Sequence, residues 1–173
     1  MLKQKYVIGA ACLLLIPALS AQAGSLRYEK TFAQVAVTDN RLILSIEDDG
    51  SVALHRPAFM KNSGSYHWQM DQSQLQQLWE RIGVDGLTAM NQALLQNNLQ
   101  QRHSNALLET SDSDVSRIEW LDDQRTTPHV LEVEGLAAWS DLLPDQSELK
   151  TLQNTETVIW QWMQEQLAQE VRS

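Results

Sequence analysis

The sequence predicts an α+β fold: an antiparallel sheet of about five strands, covered on one face by two or three helices. Three observations carry that expectation. Short runs alternate apolar and polar residues, as at Leu42, Leu44 and Ile46. Tight turns such as Asp48-Asp49-Gly50 separate the runs. Each half then closes on an amphipathic helix with a capping box, Asp71 with Gln74 in the first and Asp145 with Glu148 in the second.

Leu26 to Thr38 reads as a first strand with poor alternation. Leu42, Leu44 and Ile46, set between Arg41, Ser45 and Glu47, give the period of a half-buried strand. Asp49-Gly50 is a hairpin signal, because glycine accepts the positive φ that the turn requires. Val52 and Leu54 continue the buried face. Pro57 ends that strand or places it at an edge. Asn62-Ser63-Gly64 is a second turn, and Tyr66, Trp68 and Met70 form a third alternating set. The three runs make a meander.

Asp71 opens a helix whose Leu75, Leu78, Trp79 and Ile82 fall on one stripe, and Gly83 stops it. Leu87, Met90 and Leu94 predict a second helix capped by Asp85, and the polar segment from Asn97 to Asn105 a loop. Val115 to Leu121 and His129 to Glu134 read as strands about a turn from Asp122 to Thr127. Gly135 to Leu143 reads as irregular. Pro144 and Asp145 open a last helix with Leu149, Leu152, Ile159, Met163 and Leu167 near one face. No repeat or linker divides the chain, so residues 24–173 are expected to form one domain.

The first residues predict export. Lys3 and Lys5 precede an apolar run from Val7 to Leu19, and Ala21-Gln22-Ala23 follows as a small-x-small cleavage site. A membrane-spanning helix needs about 20 apolar residues, more than this run supplies. The expected signal peptide is 1–23, with a mature chain starting at Gly24 and working in the periplasm, without stable membrane insertion. Cys12 is the only cysteine of the chain. Its removal with the signal would exclude disulfides and thiolate chemistry. A domain of this size buries about two-thirds of its unfolded surface and needs no such staple. Losing Lys3 and Lys5, and no acid, takes the formal charge from −9 to −11. The remaining basic residues are scattered, which argues against nucleic-acid binding.

Four groups of residues are candidates for chemistry. His55 and His67 fall between the buried positions of their strands, so both face away from the core and could share a metal. No third ligand stands at usable spacing. Asp48-Asp49, Asp112 with Asp114, and Asp122-Asp123 are paired acids in turns, where aspartate is favoured for backbone reasons. None completes a calcium loop. The mature chain has no Gly-x-Ser-x-Gly elbow. Finally, six tryptophans are many for this length. Trp160 and Trp162 stand about 200° apart on a helix, so one stripe cannot bury both. Trp160 is expected to be the more exposed ring and a partner contact.

Ser63-Gly64-Ser65-Tyr66 is one residue short of the Ser-Gly-x-x-Tyr loop of periplasmic lysozyme inhibitors, and the helical second half departs from their all-β barrels. The whole mature chain, from the Asp49-Gly50 hairpin through Gly64-Ser65-Tyr66 and the helix around Leu75-Gln76-Gln77-Leu78-Trp79 to two more strands and a final helix, resembles small exported bacterial domains of unknown function. That resemblance implies an α+β fold and no assigned activity. The expected role is a non-enzymatic binding or accessory protein of the bacterial cell envelope, with no cofactor and with an envelope protein or ligand as its partner. The rival is a metal-dependent or hydrolytic enzyme using the His55/His67 face.

Overall fold

A computed structural model describes residues 24–103, 112–122 and 125–170. The expected signal peptide, Cys12 and Asp123 lie outside the described residues. The fold is α+β, with six strands where about five were expected. In chain order these are β1 (Gly24–Thr31), β2 (Arg41–Ile46), β3 (Ser51–Arg56), β4 (Gly64–Gln69), β5 (Val115–Asp122) and β6 (His129–Glu134). They form one antiparallel sheet in the order β4-β3-β2-β1-β5-β6. Among the described residues five helices accompany it: α1 (Gln72–Ile82), α2 (Val84–Thr88), α3 (Gln92–His103), α4 (Leu136–Leu142) and α5 (Ser147–Glu170). No helix among the described residues is long and apolar enough to cross a membrane.

The β2–β3 hairpin turns where Asp-Gly predicts it. Gly50 has φ +84°, and a Cβ there would stand 2.3 Å from the carbonyl oxygen of Met70. Glycine is therefore required twice over, by the turn and by the close approach of the chain entering α1. At that entry the capping box is complete. Asp71 Oδ1 accepts from the Gln74 N–H at 2.8 Å, and Gln74 Oε1 accepts from the Asp71 N–H at 2.9 Å. Gly83, left-handed at φ +72°, closes the helix.

Strand register places the core. Cross-strand partners line up in rows on the helix-covered face: Leu131, Ile118, Tyr28, Leu44, Leu54 and Tyr66 in one, with Trp120, Leu26, Ile46, Val52 and Trp68 in the next. The helices add Leu75, Leu78, Trp79 and Ile82 from α1 and Leu149, Leu152, Ile159, Met163 and Leu167 from α5. Burial of these apolar side chains is the main stabilising term, about 25 cal/mol per Å² removed from water. The opposite face carries ion pairs instead, with Arg117 bound to Glu119 and Glu132, and Glu29 bound to Arg27 and Arg41.

Several local expectations change. The first strand ends at Thr31 rather than Thr38, because Phe32 N–H bonds to Asn40 O and turns the chain back. The segment from Asn97 to His103, expected as loop, belongs to α3. Asn91 starts that helix by accepting the Leu94 N–H on its side chain and the Leu95 N–H on its carbonyl. The break at Met90–Asn91 moves Leu94 off the predicted stripe and leaves it 62% exposed. Gly135 to Leu143, expected as irregular, contains α4, entered through a left-handed Gly135. The last helix begins at Ser147, two residues after Asp145, and Lys150 N–H makes its bond to Gln146 O.

Candidate functional site

At one end of the helix-covered face the rows turn polar. Register carries the next row from Val133 through Ser116, Lys30 and Leu42 towards Arg56 and Gly64. Helix α5 lays Glu156 over its middle. One carboxylate oxygen, Oε1, accepts from the Tyr28 hydroxyl at 2.6 Å, the Ser116 hydroxyl at 2.8 Å and the Lys30 ammonium at 2.9 Å. The Trp160 indole N–H donates to the Tyr28 oxygen at 3.0 Å. Burial, and then the neighbouring Glu156 carboxylate, push the Tyr28 phenol far above the ordinary tyrosine range. The Tyr28 phenol therefore keeps its proton at physiological pH and donates it to the Glu156 oxygen that also meets Lys30. This cluster joins α5 to β1 and β5.

Arg56 in the same row is different. It is 6% exposed, its Nε has no hydrogen-bond partner, and no carboxylate among the described residues pairs with it. Burial lowers its affinity for its proton. Gly64, its cross-strand partner in β4, has φ +131° and nothing within 4 Å of where a side chain would stand.

The two sheet edges are treated unequally. Along β6, α3 acts as a guard: Gln92 exchanges two bonds with the Glu132 backbone, at 2.9 and 3.0 Å, and Gln96 adds a third at 2.8 Å. Among the described residues strand β4 is the other edge, paired with β3 alone. Beside it a groove of about 400 Å³ opens between α1 and α5, lined by Trp68, Gln69, Gln77, Arg81, Trp162 and Gln166 among others. Arg81 and Glu165 close a two-bond ion pair across it, so the groove wall carries no net charge from that pair. Tyr66 and Trp68 stack with centroids 5.9 Å apart, and Trp68 meets Trp162 edge-on.

The residues singled out from sequence are distributed as follows. His55 pairs with Ser65, and His67 with Ala53. The two imidazoles thus share the uncovered face but stand on a diagonal, one step off direct opposition. His55 Nε2 meets Asp39 Oδ1 at 2.8 Å, and Asp39 also accepts from the Ala58 N–H. Asp39 is held below the usual carboxylate range, chiefly by the hydrogen bond from His55. No group of three potential metal ligands occurs among the described residues. Asp49 and Asp114 serve backbone N–H groups, those of Ser51 and Ala33. Trp162 is 5% exposed and packs on Trp68, whereas Trp160 is half-buried with its N–H held by Tyr28.

The polar row and the free edge escaped sequence reasoning. Lys30 breaks the alternation that Leu26 and Tyr28 set up along β1, and that break is the local signal of a polar residue turned inward. Fold and site together describe a two-layer α+β domain with one guarded and one open sheet edge. The chain matches no family model and no curated protein.

Proposed function

We propose that this chain is a non-enzymatic binding or accessory protein of the bacterial cell envelope, exported by cleavage of residues 1–23 and acting in the periplasm. Its partner docks along the free edge of β4 and into the groove between α1 and α5. The observation that supports this reading is the asymmetry of the sheet. An unpaired edge is a template for another strand, and proteins usually blunt it with charge, proline or a covering element. Here β6 is covered by Gln92 and Gln96, while β4, Gly64–Gln69, carries no Lys, Glu, Asp or Pro.

The test is a photoreactive residue placed at Gln69 beside β4 and, as a control, at Gln96 beside β6. A discrete adduct in the envelope fraction is expected from position 69 alone. It should disappear on His67→Lys, which sets a charge on the edge without touching the core. Adducts of equal yield from both positions, or an adduct indifferent to His67→Lys, would refute the reading. The enzymatic alternative has a separate test: stoichiometric metal in untagged protein, lost on His55→Ala, would replace the binding role with a metal site on the uncovered face.

A further inference from the structure

We propose that the notch over Gly64 is a carboxylate-binding site in which Arg56 receives an acidic group carried by the segment that adds to β4. The inference rests on the β4 reading above and names the chemistry of its ligand.

It starts from a charge without a partner. Alternation along β3 turns Val52, Leu54 and Arg56 inward, and the last of them takes a cation into the covered face. Its Nε is sealed from water with no acceptor among the described residues, while the terminal nitrogens keep some contact with solvent. Drawing part of a cation out of water without a counter-charge is unfavourable. Arginine does not escape that cost by deprotonating, since its charge persists at any ordinary pH. Lys30, in the same row, shows the usual remedy: Glu156 lies 2.9 Å from it. No such acid was placed over Arg56.

Access is the second observation. Opposite Arg56 the edge strand has glycine, and the volume that any other side chain would fill is empty. Tyr66, the next inward residue of β4, borders it with its hydroxyl tied to Asn62 O at 3.0 Å. Local charge agrees. The chain is acidic overall at −9, yet from Arg56 to Met70 it has Arg56, Lys61 and His67 and no acid. Asp39, which reaches this region, is engaged by His55 and the Ala58 N–H. A guanidinium fork matches a carboxylate in a planar, two-bond geometry, which selects that ligand over a spherical anion.

The measurement is NMR of the labelled mature chain, following the Arg56 Nε–H and the Gly64 N–H. The probes are sodium acetate and sodium chloride at equal ionic strength, and a short Val/Thr peptide in three forms: free C-terminal carboxylate, amidated, and amidated with one glutamate. Saturable shifts of both signals with acetate but not chloride are expected, with tighter binding by a carboxylate-bearing peptide. Which peptide form wins distinguishes a chain terminus from an acidic side chain as the source. Arg56→Met should abolish the Gly64 shift and weaken the preferred peptide about tenfold or more. It should leave the fold at least as stable, since an unpaired cation has been removed. Identical responses to acetate and chloride, or no saturable shift in the unaltered protein, would overturn the site. Persistence of the Gln69 adduct in Arg56→Met at full yield would also overturn it while sparing the β4 edge. Loss of all peptide binding on His67→Lys, with acetate still bound at Arg56, would keep the anion site and locate the strand on that edge.

Discussion

Replacing Glu156 by alanine should be among the most damaging single changes in this domain. Three donors, from Tyr28, Lys30 and Ser116, converge on one oxygen of its side chain, which is about one-tenth exposed. Alanine removes that acceptor and leaves an ammonium and two hydroxyls against the apolar face. Breaking a buried ion pair from one side costs about 3–5 kcal/mol, and each orphaned neutral donor about 1–3. The Lys30 side chain retains 16% exposure and can turn towards water, so about 4 kcal/mol in total is expected rather than the sum. For a domain near 150 residues that corresponds to a loss of roughly 8–16 °C in Tm. Glu156→Gln keeps an acceptor oxygen and the side-chain shape, and should lose about half as much. Urea titration of both variants and of Lys30→Met, alone and combined with Glu156→Ala, supplies the coupling energy. A loss below about 1 kcal/mol for Glu156→Ala, or strict additivity with Lys30→Met, would refute the claim that this cluster fastens α5 to the sheet.

Three further outcomes follow from the same structure, and a fourth from the expected signal peptide. Leu78→Ala and Trp79→Ala, both at 2% exposure, should each cost about 2–5 kcal/mol by leaving a cavity under α1. A change near zero at both would mean that this stripe does not face the core. Trp162→Ala should lose about 3–5 kcal/mol, and Trp160→Ala about 1–2, through its bond to Tyr28 and its partial burial. Equal melting temperatures for the two variants would contradict the burial order. The Tyr28 phenol is raised above its unfolded value of about 10, so its contribution is complete below that pH and is lost as pH rises past it, at about 1.4 kcal/mol per pH unit. Alkaline melts of the protein and of Tyr28→Phe should therefore converge above pH 10, and curves that stay parallel would remove Tyr28 from the account. Intact mass of the envelope-fraction protein should match a chain starting at Gly24, and finding residues 1–23 attached would make it an anchored protein.

Local chemistry settled what was local. The Asp71/Gln74 box, the Asp49-Gly50 turn and the alternation of β2 depend on neighbours within a few residues, and each appears where the sequence places it. Misreadings occurred where a local signal was overridden. Asn91 caps a helix through a polar stretch, and Gly135 enters α4 from a conformation that only suggests a break.

Glu156 shows the other limit. Between Thr155 and Thr157 it reads as a solvated helix residue, and it becomes a buried anchor only because α5 crosses the end of β1, whose Tyr28 and Lys30 lie 128 and 126 residues away in sequence. The free edge is likewise a property of strand order. No residue within Gly64–Gln69 states that β4 is outermost or that α3 will guard β6 instead. The α+β class, the antiparallel meander and the stripe of α1 are legible in the chain, since turn conformation, capping and side-chain period act over one or two turns. That Arg56 lies buried with no acid among the described residues beside it, and that Gly64 leaves open space, comes from long-range packing. Burial and pairing of a charge depend on which distant elements pack over it, and no short-range pattern carries that information.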